Sequence, residues 1–236
     1  MKEIVNIVKL DFITVKGKSF TPLIICTLLM FVASLFTIAH GITVMATFAG
    51  LAVQPIFIVA EQSGYNKLYG VLPVRKRNIV FGRYIFGLSL ILAVTLISIS
   101  LGYIAYTTSL GKSINTFKDA VYLSNLWQTG GVTIEIAASF CFFFGCCLAA
   151  VNYTLLFIFG TSKEIPANFG FLAVLVILYF VLAKVFNFDS VKFMKIISDA
   201  ITNHSILVMV IMYISGVLVM MLGGCISNFF FSKREL

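Results

Sequence analysis

Charge is scarce in this chain: Asp, Glu, Lys and Arg make up 11% of its 236 residues and apolar types 60%. An ordinary soluble domain is about 25% charged and about 45–50% apolar. A soluble core cannot absorb that excess, and the shortage is uneven. No charged residue occurs from Ser19 to Ala60, Tyr84 to Gly111, Ile136 to Ser162, Ile165 to Ala183 or Ala200 to Ser232. Crossing the hydrocarbon takes about 20 apolar residues per helix. The first stretch therefore holds two spans, broken at His40-Gly41, and each of the others holds one, which predicts an all-α integral membrane protein with six transmembrane helices in a single domain over residues 1–236.

Other absences narrow the function. There are two histidines, both placed near the outer interface, and the five cysteines (Cys26, Cys141, Cys146, Cys147 and Cys225) show no paired CxxC spacing. A zinc site has no ligand set here, and the cysteines read as small membrane-buried hydrophobes. Gly111-Lys112-Ser113 resembles the end of a phosphate-binding loop, but that loop needs a glycine where Tyr106 stands. Nucleotide binding is not expected in this chain. Nor is an intramembrane enzyme, which would need paired acids, a metal set or a nucleophile with its base. A proton-coupled carrier would place an acidic residue deep in a span, and none of the predicted spans has one.

What charge there is sits at the ends of spans. With the amino terminus inside, the cytoplasmic segments hold 12 of the 17 Lys and Arg residues and the outer segments 5. That positive-inside bias puts both termini in the cytoplasm and explains the net charge of +8 without nucleic acid.

Residues 1–18 read as an interfacial helix, with Ile4, Val5, Val8, Phe12 and Val15 on one apolar arc and Lys2, Asn6, Lys9 and Lys16 outside it. Spans one and two run from about Phe20 to Ala39 and from about Ile42 to Ala60, and spans three and four from about Tyr84 to Tyr106 and from about Val132 to Phe159. Spans five and six run from about Asn168 to Ala183 and from about Ser205 to Ile226, with an outer amphipathic segment at 187–204 between them. Ala137, Cys141, Gly145 and Ala149 make a ridge of small side chains on span four, suited to close helix contact within the subunit or between subunits. Gln54 and Asn152 lie deep enough to face protein or a water-filled cavity, whereas Glu135, Lys184 and His204 lie near span ends. Pro55 should kink span two. Gly50 and Ile58, about one turn from Gln54, complete the candidate pathway set.

The long cytoplasmic segment 61–83 reads EQSGYNKLYGVLPVRKRNIVFGR. Tyr65, Leu68, Tyr69 and Leu72 follow helical spacing, with Asn66 and Lys67 beside them, and such an aromatic face suits docking. Arg75, Lys76, Arg77 and Arg83 follow, as headgroup anchors or as part of the dock.

The layout, the motif LPVRKRNIVFGRY and the tail SKREL resemble an ABC-2-type permease, and within that family most resemble the short permeases of phenol-soluble modulin exporters, which move amphipathic peptides out of Gram-positive bacteria. The resemblance implies that Tyr65 to Leu72, with Asn66, Lys67 and nearby Arg75, is a coupling helix seated in a separate ATP-binding subunit. It implies two permeases, as a homodimer or related heterodimer, with two ATPases in the plasma membrane. ATP and magnesium would bind in the partner, with no cofactor in this chain. The expected role is export of amphipathic or hydrophobic peptides. The alternative is a non-transporting immunity subunit that binds such peptides.

Overall fold

The computed structural model describes residues 2–18, 57, 75–107, 134–160, 170, 184 and 203–233. They contain four long helices: α1 (Lys2–Lys18), α2 (Lys76–Thr107), α3 (Ile134–Phe159) and α4 (Ser205–Ser232). The last three include stretches long and apolar enough to cross a membrane. The coupling segment 65–72, Gln54, Pro55, Gly50 and Ile58 lie outside the described residues, as does the outer segment 187–204 apart from Asn203 and His204.

Two boundaries differ from those expected. Helix α2 begins at Lys76, about two turns before Tyr84, because Lys and Arg are good helix formers and hydropathy marks the edge of the hydrocarbon, not of the helix. Its start is tightened by a turn from Asn78 N–H to the Arg75 carbonyl (2.8 Å). For the same reason α4 continues past Ile226 through Phe229, Phe230 and Phe231 to Ser232. Helix α3 carries Glu135 in its first turn, where a carboxylate suits the positive end of the helix dipole. It stops at Gly160, whose φ of 76° is left-handed and whose N–H closes on the Leu156 carbonyl at 2.9 Å.

Hydroxyls along the spans satisfy themselves on their own helix, as hydrocarbon requires. Thr95 donates to Ile91 O, Ser98 to Val94 O and Ser139 to Ile136 O, at 2.7–2.8 Å.

Helices α3 and α4 run parallel, in register from Gly216 beside Phe142 to Gly223 beside Ala150. The buried stripe of α4 is Gly216, Met220, Gly223, Gly224 and Ser227, which lets the two backbones approach closely. A Cβ at Gly216 would stand 2.9 Å from Phe142 Cε1. The ridge Ala137, Cys141, Gly145 and Ala149 is buried within the single chain. Helix α2 runs antiparallel to α3, joined at one end by the Tyr103 hydroxyl to Glu135 and near the other by Tyr153 packed on Gly87. The core at this second end is Phe57, Val80, Tyr84, Phe86, Tyr153, Leu156 and Phe157. The outward face of α4, including Ile206, Val210, Ile214, Leu218 and Leu222, is exposed and apolar, as suits a lipid-facing helix.

Helix α1 lies against the first turns of α2. Among its described side chains, residues 4–13, the buried ones are Ile7 and Asp11, whereas Val5 and Phe12 of the apolar arc are about half exposed. The arc is thus divided, with Val8 packed on the core and Val5 and Phe12 partly open, as an interfacial helix allows. Ile7 fits Gly82, where a Cβ would meet its Cγ2 at 2.8 Å, and this steric match decides which side of α1 faces the bundle.

Candidate functional site

The base of α2 concentrates the unusual chemistry. Arg75 and Arg77 are exposed and Lys76 half-buried, with the Arg77 guanidinium 5.5 Å from the Phe81 ring centroid. No acidic residue shares the first turn. Cations at a helix amino terminus oppose its dipole by about 0.3–1 kcal/mol each. Their position thus has a cost that helix stability does not explain, which fits a surface made for an external partner or anionic headgroups.

Two turns further in, Arg83 is only 3% exposed. Its guanidinium carbon stands 4.2 Å from the Phe57 ring centroid and 5.8 Å from that of Phe157. Desolvated contacts of this kind are worth roughly 2 kcal/mol. Phe57 in turn packs on Tyr153 (5.3 Å) and edge-on against Phe157 (5.0 Å), so the charge is held in an aromatic box built from three separate segments.

Asp11 of α1, also 3% exposed, is the opposite charge acting on Arg83. Burial pushes its carboxyl up to about 6 and Arg83 pulls it back, so desolvation prevails over attraction. The sign of the linkage follows. A carboxyl raised from 3.8 to about 6 favours the docked helix fully below the lower value, and that contribution is lost as pH rises through the upper one. Asp11 Oδ2, Arg83 Nε and the Tyr153 hydroxyl are all buried without a hydrogen-bond partner.

Beside this group lies a fully engaged one. The Tyr84 hydroxyl is 2.8 Å from Ser227 Oγ, 2.9 Å from Thr154 Oγ1 and 3.3 Å from the Ala150 carbonyl oxygen, tying α2, α3 and α4 together.

Of the residues expected to matter, Arg75 is described and exposed, and Asn152 is 7% exposed, buried among protein on α3. Glu135 is engaged by Tyr103, while Lys184 and His204 are exposed. Asp11, Phe57 and Tyr153 are not singled out by the sequence, whereas Tyr84 closes the family-like motif and Arg83 lies within it as an anchor or dock residue. The one available signal for Asp11 was an acid in the middle of a basic amphipathic helix whose other acid, Glu3, lies at its start.

Among the described residues no cluster of His, Cys, Asp and Glu could hold a metal ion. No curated protein and no solved structure matches the chain. A family model described as ABC-2 family transporter protein matches residues 6–232, from within α1 to the last residue of α4. The chain therefore belongs to the ABC-2 transporter family, as a multi-pass membrane permease component that works with an ATP-binding subunit.

Proposed function

We propose that this permease exports amphipathic or hydrophobic substrates, most naturally peptides, with Tyr65 to Leu72 as the coupling helix and the Arg75–Arg77 turn facing the ATP-binding subunit. The observation that carries the reading is the charge map of the described spans. In α2, α3 and α4 the only Asp, Glu, Lys, Arg or His residues are Lys76, Arg77 and Arg83 towards one end and Glu135 at the other. A cargo moving along these helices meets no fixed charge between those ends, which suits an apolar surface and offers nothing to a strongly hydrophilic one.

The layout proposed is six spans with both termini cytoplasmic, in a Gram-positive plasma membrane, assembled as two permeases and two ATPases. The parallel sense of α3 and α4 supports one further crossing between them. ATP and magnesium belong to the partner in this reading, and the permease contributes no catalytic group.

Reconstituted vesicles containing the permease and its ATPase test the proposal, with an amphipathic helical peptide and a hydrophilic control of equal length. ATP-driven movement of the first alone is expected. Equal movement of both overturns the substrate class, and peptide retention without ATP-dependent movement favours the immunity reading. Tyr65→Ala, Leu68→Ala and Tyr69→Ala together should abolish copurification of the ATPase while leaving membrane insertion intact.

A further inference from the structure

Helix α1 is attached unlike the other helices. Its contact with α2 is centred on a small apolar cluster of Ile7, Ile79 and Leu10, separate from the main core. Val8 packs on that core from its edge, and Phe12 reaches Phe86 edge-on at 4.8 Å while staying about half exposed. At the centre of the contact are two opposite charges, each with a buried polar atom that has no hydrogen-bond partner. A buried polar atom left unsatisfied costs free energy that the same atom in water does not. Docking thus combines a close steric fit at Gly82 with an electrostatic conflict at Asp11 and Arg83. Such weakly held elements are the ones that open locally.

We propose that α1 is a releasable latch: docked through Asp11 and Arg83 it fixes the first two turns of α2, and its release lets the Arg75–Arg77 turn move during the transport cycle. The placement carries this, because Ile79, Gly82 and Arg83, which α1 covers, directly follow the exposed basic turn. The movement's purpose rests on the coupling role proposed above, whereas the docking equilibrium itself is a property of this chain.

The groups that act on Asp11 are Arg83 from α2 and Tyr153 from α3, with Tyr84 beside Tyr153; on α1 itself Lys9 is exposed. Titration of the latch belongs to Asp11, the acid at its centre. Its ionisation weakens docking about tenfold between about pH 5 and about pH 7.

A disulfide tests the latch in the full transporter with its ATP-binding partner. Ile7→Cys removes the branch that would collide with a side chain at residue 82, and Gly82→Cys then places a Cβ about 3.1 Å from that of residue 7. Disulfides prefer roughly 3.5–4.5 Å between Cβ atoms, so a few tenths of an ångström must be absorbed. Oxidation should lower ATP-driven transport at least about tenfold while the ATPase still copurifies, and reduction should restore it, with the native-cysteine protein as control. Undiminished transport by the crosslinked permease overturns the latch.

The crosslinking rate in the permease alone reads docking independently of any partner. With Asp11→Asn added, the same cysteine pair should crosslink faster than with Asp11 at both pH values, by a margin about tenfold larger at about pH 7 than at about pH 5, the comparison cancelling the titration of the thiols themselves. An equal margin at both pH values overturns the assignment of Asp11. Failure of the ATPase to copurify with the unmodified permease would count against the functional reading alone, because the crosslinking rates still decide whether α1 docks and releases.

Discussion

The contact between α3 and α4 and the contact between α1 and α2 both rest on glycines, yet they are finished differently. Along α3 and α4, Gly216 and Gly223 admit Phe142, Ala150 and Tyr84, and the polar atoms that meet there find partners at 2.7–3.3 Å. At α1 and α2, Gly82 admits Ile7, but Asp11 and Arg83 each keep a buried atom without a partner. The first is a seam with nothing left to satisfy. The second carries an unresolved conflict, and the difference separates the part of the fold that holds its shape from the part able to change it.

The largest effect should come from attacking the conflict directly. Arg83→Ala removes the charge from the aromatic box and leaves Asp11 without its counterion, and stability should fall by about 3 kcal/mol at neutral pH, measured by thermal unfolding in detergent. A loss below about 1 kcal/mol would mean that the base of α2 tolerates solvent there, and the contrast between the two contacts would weaken.

Gly87→Val should come next, at about 2 kcal/mol. A Cβ at that position would lie 2.7 Å from Tyr153 Cε2, and a close-packed neighbour has little room to yield. Tyr84→Phe should cost about 1 kcal/mol, near the upper part of the range for hydrogen bonds between membrane helices. If it cost more than Arg83→Ala, the seam would be the more demanding of the two regions and the comparison would reverse. Tyr103→Phe, which removes the hydroxyl's bond to Glu135 at the exposed far end of α2, should cost about 0.5 kcal/mol or less.

The three described spans were legible because absence of charge is a local property that marks membrane crossing. The ridge at Ala137, Cys141, Gly145 and Ala149 was legible for a similar reason, since a four-residue repeat shows within one helix. Its counterpart on α4 was not, because Gly216, Gly223, Gly224 and Ser227 follow no single short period and gain meaning only from Phe142, Tyr84 and Ala150 opposite them. Asp11 and Arg83 were harder still. They are 72 residues apart in the chain, and periodicity reports which residues share a face but not which face meets which. The apolar arc of α1 describes an interfacial helix, but it says nothing of which side meets the bundle, because a glycine on another helix decides that.

The hydroxyl group at Tyr84 also has a direction. A carbonyl only accepts, so Thr154, 2.7 Å from the Ala150 oxygen, spends its proton there and must accept from Tyr84 at 2.9 Å. Tyr84, its single proton committed, must accept from Ser227 at 2.8 Å. The shortest contacts therefore order themselves into a one-way relay of donors from α4 through α2 to the backbone of α3, with its polarity set by the carbonyl at the end. Rank along the relay then matters more than hydroxyl count: loss of Ser227 removes the head and leaves two links intact, whereas loss of the Thr154 hydroxyl removes the link that fixes the polarity and frees Tyr84 to donate to Ser227 at 2.8 Å or to Ala150 at 3.3 Å.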